Sequence, residues 1–280
     1  MLTSVTGDGD LTLSAILGLS EIASSGGPVE APAMWRHSTG IFGGFSASLA
    51  LAVAAKQTSL ETIAGAQVMF ARPTEPGPLE VVVEEVRRGR ASAAVHVRLR
   101  QDQLDRVLVQ AWLVDEPIEV GEREVLTVAE PARCPEVTCW DEALPYMQAI
   151  DERAIDYPLS MEAFLDGPAL ADLWVRAMGG SAADALAGQL LDVIALDTHL
   201  VDAACRPHRT RTFDLVSMDL NVWWSSTAPT EWRRIRVEAS GPGHRLAPTT
   251  GTIWSEDGSV RARASQLVRF LTRPADPGPS

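Results

Sequence analysis

The chain has 280 residues, 46% of them apolar, with a formal net charge of −13 and an isoelectric point near 4.8. That length holds one large domain or two smaller ones around a sizeable core. The acidity argues against nucleic acid as a partner and against a surface made for anionic membranes, since both attract a basic face.

No run of eighteen apolar residues occurs, so no membrane span is expected. The start, MLTSVTGDGD, lacks the basic and apolar regions of a signal peptide. Cys134, Cys139 and Cys205 read as reduced thiols. Together these predict a cytoplasmic protein. The Cys134/Cys139 spacing has no second Cys/His pair to complete a zinc site, so neither a metal nor a cofactor is expected.

In chain order, LTLSAILGLSEI reads as a short helix, and SSGGPVEAPA as a loop. GIFGGFSASLALAVAAK, from Gly40 to Lys56, then poses a question. Glycines weaken helices, yet Gly43 and Gly44 stand at the start of one. Unpaired N–H groups point outward there, so either the backbone turns or something negative comes close. The helix is apolar or small nearly all round and should be buried.

Four strand-like segments follow: ETIAGAQVMFARP, LEVVVEEVRRGR after the Gly77-Pro78 turn, ASAAVHVRLRQD and RVLVQAWLVDEP. Residues 118–165, rich in proline and acids, read as an irregular connector. A second helix, roughly Ser181 to Cys205, precedes four more strands: FDLVSMDLNVWW, EWRRIRVEASG, TTGTIWSED and VRARASQLVRF. Helix followed by four strands has occurred twice, which marks a duplicated α+β unit. The expected fold is a double hotdog, two antiparallel sheets each wrapped around a long helix and joined into one. The halves are residues 1–117 and 166–273, with a tail at 274–280.

Chemistry-bearing residues stand out against this frame. In the last strand Gln266 falls on the apolar face between Ala264 and Val268, with Arg261, Arg263 and Arg269 opposite. A buried amide needs hydrogen bonds, so Gln266 is either a satisfied core residue or a group that orients water or substrate. On the second helix Asp192, Ala195, His199 and Asp202 form a stripe. Asp197 points about 180° away and should face the sheet, buried and partnered, either as a structural tie or near a site. Asp219 shares a strand face with Ser217, Asn221 and Trp223, and by periodicity alone reads as a solvated aspartate. Ser240 reads as a turn residue. Two basic clusters, Arg87–Arg90 and Arg206–Arg211, read as solvated surface, although a phosphorylated ligand would need such a group. No G-x-S-x-G, Walker or dinucleotide glycine pattern is present.

FGG before a small-residue helix, then F-x-R-P and GPLEVVVEEVRRGR, resembles the acyl-CoA thioesterase II family of double-hotdog enzymes. IALDTHLVDAACRPH, SMDLNVWW, RVEAS, GTIWSEDGSV and RARASQLVRF resemble its second half. The resemblance covers about 40–117 and 189–270. It departs at Ser225-Ser226-Thr227, where the family has His-Arg-Pro, and at Leu267, where Glu-Gly is common. It implies hydrolysis of acyl-CoA or a related acyl thioester by aspartate-activated water. Asp219 would be the base, and Ser240 and Gln266 would hold the water. Gly43, Gly44 and Asp197 are expected to contact substrate, the alternative for the glycines being that they only allow close packing of helix on sheet. The resemblance also implies a homodimer or larger assembly. Gly65 stands where Asp219 would have its counterpart in the first half, so one site per chain is expected. The alternatives are a non-catalytic acyl-binding or scaffold protein of the same fold, and a hotdog hydratase, whose Asp/His motif is not found.

Overall fold

In a computed structural model, which describes residues 28–37, 39–138, 144–178, 184–209, 213–241 and 245–272, the run after the glycine pair forms helix α1, Gly43–Thr58. The segment LTLSAILGLSEI and Cys139 lie outside the described residues. Burial of Leu49, Leu51 and Val53 contributes about 1.5–3 kcal/mol each. That outweighs the roughly 1 kcal/mol that each glycine costs a helix interior. Ser59 ends α1 in the left-handed conformation at φ 56°.

Around α1 lie β1 (Val29–Ala31), β4 (Thr62–Phe70), β5 (Gly77–Arg88), β6 (Ser92–Gln101) and β7 (Leu104–Val114), while β2 (Arg36–His37) and β3 (Gly40–Ile41) form a small hairpin before it. The second half contains β8 (Ile150–Asp156), a short helix α2 (Met161–Phe164), β9 (Leu170–Ala177) and the long helix α3 (Ala185–Cys205). After it come β10 (Phe213–Ser217), β11 (Asp219–Trp224), β12 (Arg233–Ala239), β13 (Leu246–Ser255) and β14 (Val260–Thr272).

The strands make one antiparallel sheet in the order β1-β5-β6-β7-β4-β11-β14-β13-β12-β9-β8, with β10 also on β14. The halves join where β4 meets β11, from Met69 opposite Asp219 to Gly65 opposite Trp223. This is the expected double hotdog. One expectation fails: residues 150–156, read as irregular connector, form strand β8 on β9. Its charged residues hid it, because Asp151 and Glu152 are buried through ion pairs rather than by apolar character. Among the described residues no helix is long and apolar enough to cross a membrane.

The two helices pack closely. Ser48 Oγ donates to the Leu190 carbonyl at 3.2 Å. A Cβ on Gly44 would lie 3.1 Å from the Ile194 Cα, so this glycine permits the approach. Gln189 of α3 exchanges two hydrogen bonds with the backbone of Ile63, at a bulge in β4. These contacts set the first turn of α1 against the middle of α3. The expected stripe on α3 is no solvent face. Asp192 is fully buried and accepts from Arg233, Arg261 and Trp224. Arg261, read as outward-facing, turns inward next to the register shift between β13 and β14.

Candidate active site

Asp197 is the meeting point of three elements. Its Oδ1 accepts from Ser217 Oγ of β10 at 2.8 Å and from Gln266 Nε2 of β14 at 2.5 Å. Its carboxylate also accepts the backbone N–H of Gly44 in the first turn of α1. A Cβ on Gly43 would stand 2.8 Å from Asp197 Oδ2 and 3.0 Å from the Phe70 ring. Neither Gly43 nor Gly44 has a positive φ, so no unusual turn calls for them. The negative group that approaches this helix start is the carboxylate of Asp197. It sits where four N–H groups lack helical partners and the helix dipole is positive.

Burial raises the pKa of Asp197 above the ordinary 3.8, opposed by the hydrogen bonds from Ser217, Gln266 and Gly44. A carboxylate poised in this way holds a proton more readily than one in water. Gln266 Oε1 is buried and has no protein partner among the described residues. An orphaned acceptor of this kind fits a water that donates to it.

Asp197 and Ser217 open on a cavity of about 440 Å³, walled by apolar residues such as Phe42, Phe70, Met147 and Leu215. Tyr146, from the segment between the halves, stacks on Phe42 at 5.2 Å and on Trp35 at 4.5 Å and closes one side. Arg72 and Arg269, both exposed, line the same cavity. The arrangement offers an apolar compartment, a carboxylate with two side-chain donors at its wall, and cations at its rim.

Of the residues expected from sequence, Gln266 and Asp197 meet, and Gly43 and Gly44 stand beside them. Asp219 and Ser240 do not join them. Asp219 follows a break at Met218 between β10 and β11. There the alternation slips by one: Leu215 and Leu220 are both buried, so Ser217 turns inward and Asp219 outward. Asp219 Oδ1 accepts the Leu267 N–H at 2.8 Å, repairing the ladder at this irregularity. Ser240 lies just past the end of β12, two strands from Gln266, its N–H donated to the Pro248 carbonyl at 3.0 Å. The residue that sequence reasoning missed is Ser217. A uniform period of two placed it on one face with Asp219; a bulge between them would have separated the two.

Comparison with known proteins agrees with this architecture. The profile of the acyl-CoA thioesterase N-terminal domain matches residues 31–114, and that of the C-terminal domain matches 128–270. No protein with a curated description matches. Among solved structures, a conserved hot dog protein of unknown function from Alicyclobacillus acidocaldarius is 22% identical, with a TM-score of 0.74 over 88% of this chain and 93% of its own. The tesB protein of Mycobacterium avium subs paratuberculosis is 19% identical, with a TM-score of 0.70 over 94% and 100%. The acyl-CoA thioesterase II TesB2 of Mycobacterium marinum is 18% identical, with a TM-score of 0.69 over 84% and 91%. These likenesses show the fold. The C-terminal match alone spans more than half of the sequence and takes in Asp197, Ser217 and Gln266. With both domains matched in order, the chain belongs to the acyl-CoA thioesterase family.

Proposed function

We propose that the protein hydrolyses acyl-CoA to free acid and CoA, with a water activated by Asp197 in place of Asp219. The observation that carries this reading is the convergence of Ser217, Gln266 and the α1 N-terminus on one buried carboxylate at the wall of an apolar cavity. The acyl chain occupies the cavity. Gln266 Oε1 and the Asp197 carboxylate hold a water, and fixing it lowers the entropic part of the barrier. Asp197 takes one proton as the water oxygen bonds to the thioester carbon. The oxyanion is stabilised by N–H groups at the start of α1, whose Gly43 lines the cavity. Collapse breaks the carbon–sulfur bond, and the proton on Asp197 passes to the departing thiolate.

Arg72 and Arg269 at the rim suit the phosphates of CoA, which favours CoA over a protein-borne thioester. Self-association belongs to the same reading. Trp223 and Trp112 are exposed and flank Gly65 across β11, β4 and β7 on the outer face, a surface suited to a second copy and testable by light scattering.

The test is thiol release by purified protein from acyl-CoAs of increasing chain length and from the same acyl groups on phosphopantetheine alone. Release that is faster with CoA supports the reading. No release from any of them, with acyl-CoA still bound, overturns it in favour of a binding protein.

A further inference from the structure

A second polar group opens on the acyl cavity, and the hydrolytic reading makes no use of it. Asp202, about 7.5 Å further along the α3 axis than Asp197 by helix geometry, lines the cavity. Its Oδ2 accepts from the Tyr157 hydroxyl at 2.6 Å and lies 3.3 Å from His199 Nδ1. The other ring nitrogen of His199 lies 3.0 Å from Glu152 Oε1. His199 and Glu152 are almost wholly buried. Burial pulls the pKa of His199 down, but the flanking carboxylates of Glu152 and Asp202 push it up to about 9. A protonated His199 donates from both nitrogens, which fixes which oxygen of Asp202 faces it.

Asp202 Oδ1 is the oxygen left over, with no protein hydrogen bond among the described residues. An all-methylene chain filling the cavity would strip water from this acceptor and replace it with nothing. A site built to accept a hydrogen bond rejects the ligand that cannot give one more strongly than an apolar pocket rejects an extra hydroxyl. Resting on the thioesterase reading of the cavity, we propose that Asp202 is a specificity determinant selecting acyl groups with a hydrogen-bond donor, a hydroxyl or amine, part-way along the chain. The donor stands several carbons from the thioester, as the separation of Asp202 from Asp197 requires.

The experiment measures binding, so it stands whether or not the protein hydrolyses anything. Octyl-CoA thioethers, unsubstituted or carrying one hydroxyl at successive carbons, are titrated calorimetrically into the wild-type protein. At one position the hydroxyl tightens binding about 10–100-fold, the scale of a hydrogen bond to a charged group. In Asp202→Asn the amide oxygen stays on Tyr157 and His199 and the NH₂ group turns to the cavity. That variant then prefers a ketone over a hydroxyl at the same carbon. No hydroxyl position binding tighter than the plain chain in the wild type overturns the proposal, as does an unchanged hydroxyl-to-ketone ratio in Asp202→Asn. Parallel thiol-release assays keep a failure of the hydrolytic reading separate from a failure of this one.

Discussion

The two helices of the duplicated unit fold alike and are spent differently. α1 carries no acidic residue, and its one cation, Lys56, sits in its last turn. α3 buries Asp192, Asp197 and His199, each held by groups from other elements. The first half supplies a glycine-marked helix start, and the second half supplies the carboxylate that sits on it. The proposed site pairs the backbone of one half with the side chains of the other. A buried polar residue is kept where partners surround it, and in α3 Asp192, Asp197 and His199 all have such partners.

The comparison breaks most sharply at Gly43. In Gly43→Ala the new methyl meets Asp197 Oδ2 and the Phe70 ring, displacing the carboxylate by a fraction of an ångström. A misplacement of about 1 Å costs about 10²-fold in rate, so thiol release should fall, by up to about that factor, while circular dichroism still shows a folded chain. Ser217→Ala removes one donor to a charged group, worth about 1.5–3 kcal/mol. It should slow hydrolysis by about tenfold or more, read as kcat with a smaller change in KM.

Protonation sharpens the comparison too. Asp197 must be ionised to act, and burial raises its pKa above 3.8. The acid limb of the kcat/KM profile should therefore lie at higher pH than for an ordinary aspartate. His199 is raised from 6.5 to about 9. The stability it contributes is complete below pH 6.5 and is lost as pH rises through about 9. The thermal midpoint should fall across that window, and His199→Gln should flatten the fall. The smallest effect belongs to Ser240→Ala. It removes nothing from the site and should leave thiol release within about threefold of wild type.

The duplicated unit was legible because α1 is apolar all round and because strands such as β6 alternate cleanly. Strand β8 was not, since its buried Asp151 and Glu152 mimic surface residues until Arg176 and His199 are seen beside them. Gln266 was legible as an amide on an apolar face, and Asp197 as a carboxylate out of phase with its helix. Ser217 and Asp219 were placed on one face because a strand break is invisible to a fixed period of two. The resemblance pointed to SMDLNVWW, where Ser217 bonds to Asp197 and Asp219 accepts from the Leu267 N–H. The glycine pair raised the right question, but its answer came from a helix about 150 residues later in the chain.

The proposed mechanism requires that Asp197, and not Asp219, be the base. The most direct measurement is kcat/KM for acyl-CoA hydrolysis by Asp197→Asn and Asp219→Asn side by side with the wild type. Each substitution keeps the side-chain shape, and Asp219→Asn retains an oxygen to accept the Leu267 N–H. Loss of a general base lowers the rate by about 10²–10⁴-fold. That loss is expected for Asp197→Asn, with Asp219→Asn within about threefold of wild type. A large loss in Asp219→Asn with Asp197→Asn near wild type would contradict the account.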